Sequence, residues 1–127
     1  MKILKLNKDL IRVLLLDLES QQGNSSFGAK EIEEFSERNN VLVDETLYVI
    51  ARLIEAGYIV GDIKYASDQP YFYYISTITY QGHEFLDSIR DPKIWTDTKK
   101  AASTFGSVSL DILSQIATNL ISKNLGL

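Results

Sequence analysis

Cysteine is absent from this sequence, and histidine occurs once. A disulfide framework, a thiolate metal site and a metal site built from several histidines are therefore excluded. Long apolar runs are missing too: the longest inside a predicted helix is Val13–Leu16, whereas a bilayer-spanning helix needs about 20 residues. The first residues carry no secretory signal pattern. We expect a cytoplasmic protein that makes no membrane contact and binds no cofactor.

Basic residues are outnumbered, with 13 Lys and Arg against 17 Asp and Glu, for a net charge of -4. The charge is unevenly distributed, because residues 1–12 carry a net charge of +3 and residues 29–57 carry a net charge of -4. Apolar residues make up 45% and charged residues 24% of the sequence, a balance that is typical of globular proteins. A chain of 127 residues is long enough for one hydrophobic core and too short for two ordinary ones. The net negative charge counts against a generic polyanion binder.

Helical periodicity and turn residues predict six helices and one hairpin. Asn7, Asp44 and Thr79 are the expected N-caps of the first, third and fourth helices, and Gly57 is expected to end the third with a positive φ. A turn-forming loop of about five residues, Ala66–Pro70, is expected in the hairpin. The expected elements are helices at 8–20, 29–38, 44–56, from 80 to the Asp91-Pro92 pair, at 93–103 and from 109, with strands at 58–65 and 71–78.

Three helices, a hairpin and a fourth helix follow the winged helix-turn-helix plan, in which the third helix is the recognition helix and the hairpin is the wing. We predict an α+β, mostly helical fold with a winged-helix domain over residues 1–91. Residues 92–127 are expected to form a helical extension, packed on that domain or on a second chain.

The third helix decides what such a fold could bind. Its expected buried stripe consists of Leu47, Ile50, Ala51 and Ile54. Its outward positions are then Glu45, Tyr48, Val49, Arg52 and Glu55. Only Arg52 offers the chemistry that reads base edges, and the acids would face phosphates. Tyr48 and Val49 beside Arg52 are more typical of a protein-contact patch.

Basic residues elsewhere could supply phosphate contacts if duplex DNA binds. One group, Lys93, Lys99 and Lys100, follows the fourth helix. The other lies at the start of the chain and consists of Lys2, Lys5, Lys8 and Arg12. The sequence alone does not place the two groups on one face.

The last helix carries an apolar stripe that includes Leu110, Leu113, Ala117 and Leu120. We expect this stripe to dock on the hairpin or to join two chains in a homodimer.

The hairpin is rich in tyrosine, which allows a stacking platform for single-stranded nucleic acid. Only Lys64 is basic there, so we favour packing of alternate residues on both faces of the hairpin, against the first three helices and against residues 93–127.

No catalytic site is predicted. His83 shares a helix face with Asp87, but no nucleophile or second base accompanies them. Glycine-rich phosphate loops and calcium-loop spacing are both absent from the sequence. Gly82 falls in the first turn of the fourth helix, where we expect the adjacent strand to exclude a side chain. We therefore expect no enzyme activity.

Two stretches of the sequence carry a family resemblance. Leu53–Ile59, the hairpin and Ile78–Leu86 resemble the recognition helix end, wing and following helix of many winged-helix regulators. The continuation is similar to a bacterial and prophage-associated family of small proteins catalogued as a domain of unknown function, and it comprises Asp87–Asp91, Trp95, Lys99 and Ser109–Leu113. This resemblance implies a winged-helix-like fold and a bacterial or phage origin, and it supplies no catalytic residues.

Two functions remain open, and we put the DNA-associated regulator slightly ahead of the alternative, an interaction module without DNA binding. Architecture favours a DNA-associated regulator of bacterial or prophage type that binds double-stranded DNA, although fold analogy alone is an associational argument. The charge pattern favours a protein-interaction module that acts through the acidic third helix or the C-terminal helices.

Overall fold

The computed structural model of the chain describes residues 6–21, 27–106 and 108–127. These residues form a mostly helical α+β arrangement, with three helices, a hairpin, a fourth helix and two further helices in the predicted winged-helix order. The helices are α1 (Lys8–Ser20), α2 (Ala29–Arg38), α3 (Val43–Glu55), α4 (Tyr80–Ile89), α5 (Pro92–Ser103) and α6 (Leu110–Asn124). The antiparallel strands are β1 (Ile59–Ala66) and β2 (Gln69–Ile78).

The chain forms two compact units that divide inside α4. The first unit ends at Gly82 and includes α1, α2, α3 and the hairpin. The second unit begins at His83 and includes the rest of α4 with α5 and α6. This division falls earlier in the chain than the boundary expected at Asp91, and the domain assignment of residues 1–91 and 92–127 stays a prediction.

The first two helices begin where their local sequence predicts. Asn7 Oδ1 accepts a hydrogen bond from the Leu10 N–H at 3.1 Å, which satisfies one donor of the first turn of α1. At the start of α2, Glu31 Oε1 accepts from the Gly28 N–H at 2.8 Å. Apolar residues at helical spacing are buried on both helices, namely Leu10, Ile11, Leu14, Leu15, Leu18, Ile32 and Phe35.

The start of α3 differs from the prediction, because Asp44 is not its cap. Leu42 occupies the N-cap position without a side-chain hydrogen bond, and Asp44 lies in the first turn, where a negative charge is favourable to the helix dipole. A buried pair of hydroxyls joins α3 to α2 instead: Ser36 Oγ donates to Thr46 Oγ1 at 2.7 Å.

The buried face of α3 is also rotated relative to the prediction. Its buried residues are Thr46, Leu47, Val49, Ile50 and Leu53, whereas Ala51 and Ile54 are only half-buried. Each residue turns an α-helix by about 100°, so a stripe displaced by one position faces a different direction. The prediction that Val49 faces outward is wrong, since none of its surface is exposed.

The hairpin has a shorter turn than predicted. Only Ser67 and Asp68 lie between the strands, and their φ angles are 52° and 66°. Positive φ at both central residues is typical of the type I′ turn, which matches the twist of paired strands. The prediction of a five-residue loop was wrong: Pro70 pairs with Tyr65 beside a register shift, where a missing N–H is tolerated.

The distal half of the hairpin stands in solvent. Tyr65, Tyr71 and Phe72 are 58%, 64% and 48% exposed. Near the base, by contrast, Ile59 and Ile75 are buried. The prediction that alternate residues pack on both faces is therefore wrong for these three side chains of the distal half.

Three residues join α3, the hairpin and α4. Gly57 ends α3 with a φ of 79°, as predicted. Thr79 Oγ1 accepts from the Gly82 N–H at 3.0 Å and donates to the Gly57 carbonyl at 2.6 Å. A Cβ atom at Gly82 would lie 2.0 Å from the Tyr58 carbonyl oxygen, so close backbone approach explains this glycine.

In the second unit, α5 and α6 pack on each other. Asp91 Oδ2 caps α5 through the Ile94 N–H at 2.9 Å, and Ser109 Oγ caps α6 through the Ile112 N–H at 3.2 Å. Between the two helices, Gly106 has a φ of 80°, which a helix-breaking glycine readily adopts. None of the described helices is both long and apolar enough to cross a membrane.

Candidate functional site

The outer face of α3 presents Tyr48 and Arg52 but not Val49. Tyr48 is half-buried and Arg52 is exposed. Val49 lies one turn before Leu53, and both side chains are fully buried, so Val49 cannot contact DNA or a partner. An apolar spacing that includes Leu53 would have assigned Val49 to the core.

Arg52, the base-reading candidate, is already engaged along its own helix. Its Nη1 lies 3.2 Å from Glu55 Oε1, and the two side chains are 48% and 63% exposed. An ion pair this exposed is worth only ~0–1 kcal/mol, so it does not hold Arg52 rigidly. It does place a carboxylate beside the arginine of α3, where a nucleic-acid phosphate would have to approach.

A groove runs between α3 and the hairpin, and we refer to its two hollows together as the α3–hairpin groove. The hollow near the hairpin turn has a volume of about 270 Å³, and the second has about 190 Å³. Ala51 and Tyr65 line both hollows. The first hollow is also lined by Asp44, Leu47, Tyr48, Asp68, Gln69 and Pro70, and the second by Ile54, Glu55, Asp62 and Ile63.

Negative charge dominates this surface. Residues 43–78, which comprise α3 and the hairpin, contain five acids and two bases. Four of the acids line the groove, namely Asp44, Glu55, Asp62 and Asp68. The fifth, Glu45, is half-buried and accepts a hydrogen bond from Asn7 Nδ2 at 3.1 Å. The groove is therefore acidic on its α3 side and on its hairpin side.

The same negative potential reaches Tyr73 on β2. Burial, followed by the negative charges of Glu33 and then Asp44, raises the pKa of the Tyr73 phenol above its ordinary value. Both carboxylates disfavour the phenolate because it would add a further negative charge nearby. Carboxylates on α2 and α3 thus add to the effect of burial on this tyrosine of the hairpin.

The predicted phosphate-contacting lysines lie on α5, in the second unit. Lys93 Nζ is 3.3 Å from Asp97 Oδ2, and Lys99 Nζ lies 5.6 Å from the centre of the Trp95 ring. Lys100 is exposed on the same helix. In the other predicted group, Lys8 is half-buried at the start of α1, and Lys2 and Lys5 lie outside the described residues.

The apolar stripe of α6 is mostly inside the second unit. Leu110, Leu113 and Ala117 are buried, and Leu120 is half-buried. Because α6 packs on α5, part of this stripe is covered by α5, whereas the sequence predicted docking on the hairpin or a homodimer. A homodimer and docking on the hairpin both stay predictions.

The side chains that could serve acid–base or metal chemistry are His83 and the carboxylates of Asp and Glu. His83 is half-buried on α4. Across residues 6–21, 27–106 and 108–127, no group of three or more His, Asp or Glu side chains is placed to hold a metal ion. The expectation that the chain is not an enzyme stays a prediction.

Comparison with known proteins supplies a family. The sequence pattern of the family described as "Hypothetical protein (DUF2513)" matches residues 5–109. The chain belongs to this family. A relative from Haemophilus influenzae, described as "Uncharacterized protein", is 32% identical over 123 residues, which cover 96% of this chain and 99% of the relative. No solved structure matches the chain. The predicted membership of a family of unknown function is thereby confirmed.

Proposed function

We propose that this chain is a non-catalytic protein-interaction module of winged-helix layout, with the α3–hairpin groove as its binding surface. The observation that carries the proposal is the charge of that surface, five acids against two bases in residues 43–78. DNA affinity depends largely on Lys and Arg that displace counterions from phosphates. Carboxylates on the recognition helix and the wing subtract from that affinity.

The groove itself also supports protein binding. Tyr48 and Tyr65 contribute aromatic surface to its walls, and Arg52 lies on the same helix face as Tyr48. Tyrosine and arginine are enriched among the residues that contribute most to protein interfaces. The cysteine-free sequence suits the reducing cytoplasm, which we propose as the compartment.

A DNA-associated regulator of bacterial or prophage type is the second candidate. The element order supports it, and so do the basic side chains of Lys93, Lys99 and Lys100 on α5. The relative from Haemophilus influenzae supports a bacterial setting. On this hypothesis duplex DNA is the partner and α5 supplies phosphate contacts.

Fluorescence anisotropy with a labelled mixed-sequence DNA duplex separates the two candidates. We expect no saturable binding by the intact chain at low salt, because the surface of α3 repels phosphates. Binding with a steep salt dependence, abolished by K93E, K99E and K100E together and retained in K123E, would contradict the proposal. Lys123 is a suitable control because it lies on α6, away from the three α5 lysines in sequence.

A further inference from the structure

The α3–hairpin groove combines an apolar floor with an acidic rim. The floor consists of apolar side chains that are buried or half-buried, namely Leu47, Ala51, Ile54 and Ile63. The rim consists of exposed carboxylates on α3, β1 and the hairpin turn, namely Asp44, Glu55, Asp62 and Asp68. Because α3, β1 and the hairpin turn all contribute acids, the charge does not follow a single solvated helix face.

The division of the groove into two hollows favours a ligand with separate side chains over one compact small molecule. Its hollows of about 270 and 190 Å³ are each smaller than the roughly 300–1,000 Å³ usual for small-molecule sites. Hollows of this size suit individual side chains of a protein segment. Tyr65, which is 58% exposed and borders both hollows, would form the wall between two such side chains.

We propose that the α3–hairpin groove binds a positively charged segment of another protein, which places an apolar side chain over Ala51. This inference rests on the proposed function and specifies its partner. Lysine or arginine residues of the segment would lie against the rim carboxylates, and the apolar residue would cover the floor. Such complementarity accelerates association and fixes the orientation of the partner.

The bases already present on this surface do not neutralise the rim. Arg52 lies 3.2 Å from Glu55, and Lys64 is the other base of residues 43–78. The four rim carboxylates therefore exceed these two bases by two negative charges, and by three when Glu45 is counted with them. A cationic partner reduces the mutual repulsion of the carboxylates, whereas DNA or an acidic peptide increases it.

The proposal is tested by titrating the intact chain with three synthetic peptides and recording its amide chemical shifts by NMR. The first peptide has a central leucine flanked by lysines; the second replaces the leucine with serine; the third keeps the leucine and replaces the lysines with glutamates. We expect the first peptide to shift amides around Ala51 and Tyr65. We expect about tenfold or more weaker binding of the serine peptide, which loses the buried leucine, and no shifts with the glutamate peptide.

Variants of the chain separate charge from shape. The double variant D62N/E55Q removes two rim charges. It should weaken binding of the lysine peptide severalfold and make that binding less dependent on salt concentration. E34Q with E37Q removes two exposed charges from α2 and should leave binding unchanged. A51F fills the point that both hollows share and should abolish binding, while Y65A provides a second test on an exposed residue whose loss does not threaten the core.

The outcomes are distinguishable from a failure of the proposed function. Equal binding of the glutamate peptide in the groove, or no shifts at millimolar lysine peptide, would overturn the basic-segment proposal and leave the groove as the proposed protein-binding surface. Shifts confined to other surfaces would overturn the basic-segment proposal and also the assignment of the groove as the binding surface. Saturable binding of duplex DNA through α3 would overturn both.

Discussion

The α3–hairpin surface and the outer surface of α5 differ in the sign of their charge. Residues 43–78 contain five acids and two bases, whereas residues 92–103 contain three lysines and one aspartate. A winged helix-turn-helix layout nominates the third helix as the DNA reader, yet that helix is acidic and a net positive charge is found on α5, a helix outside that layout. Architecture and side-chain chemistry therefore favour different functions, and the site chemistry carries the stronger physical argument.

The two surfaces also differ in how their charges are placed. On α5, Lys93 lies against Asp97 and Lys99 lies against Trp95, so two of the three lysines have neighbours on their own helix. In the α3–hairpin groove, the acids come from separate elements and border an apolar floor. The first arrangement is typical of a solvated helix, and the second offers a partner both charge and apolar surface.

The largest expected effect concerns the attachment of the hairpin that forms one side of the groove. In G82A, the new Cβ would lie 2.0 Å from the Tyr58 carbonyl oxygen, and the backbone would have to move. We expect a loss of about 3 kcal/mol or more in the free energy of unfolding, measured by urea denaturation. Q81A alters an exposed neighbour on α4 and should change the unfolding free energy little; equal stability of G82A and wild type would show that the close approach is absent.

A smaller effect distinguishes the two faces of α3. V49A removes methyl groups from a fully buried position and should lower the free energy of unfolding by about 2 kcal/mol. Y48A, at the half-buried neighbouring position, should cost less stability and should weaken binding of the lysine peptide. If V49A instead left stability intact and weakened peptide binding, Val49 would belong to the outer face and the register of α3 described above would be wrong.

The smallest expected effect is electrostatic and concerns Tyr73. Its pKa is raised by burial, by Glu33 and by Asp44, and an ultraviolet titration of the phenols should show that E33Q moves this pKa back towards the ordinary value. Because the folded-state pKa lies above the unfolded-state value, the associated stabilisation is complete below the ordinary tyrosine pKa of about 10 and is lost as pH rises through the folded-state pKa. An unchanged Tyr73 titration in E33Q would remove the evidence that negative potential reaches β2.

Local signals predicted the element ends well where one residue decides the geometry. Asn7, Gly57 and Thr79 perform the capping roles that their side chains or φ preferences indicate. The hairpin turn was harder to predict, because Ser67-Asp68 lacks the Asn-Gly or Asp-Gly pair that identifies a two-residue type I′ turn. The sequence therefore suggested a longer loop that ended at the proline.

The face of α3 could not be fixed by periodicity alone. Apolar residues at 47, 49, 50, 51, 53 and 54 spread over about 200° around the helix axis, so more than one buried stripe fits the pattern. The observed face places Thr46 inside, where it accepts a hydrogen bond from Ser36 of α2, and this contact between two helices has no signature in α3 itself. The groove depends in the same way on tertiary packing, since it forms between α3 and the hairpin.

The most direct test of the central claim is the ratio of the affinities of the intact chain for the lysine–leucine and glutamate–leucine peptides at low salt. An acidic groove over an apolar floor predicts clear preference for the lysine–leucine peptide, with shifts at Ala51 and Tyr65 and with weaker binding as salt increases. Equal affinity, or preference for the glutamate–leucine peptide, would contradict the claim that the α3–hairpin groove recognises a basic protein segment.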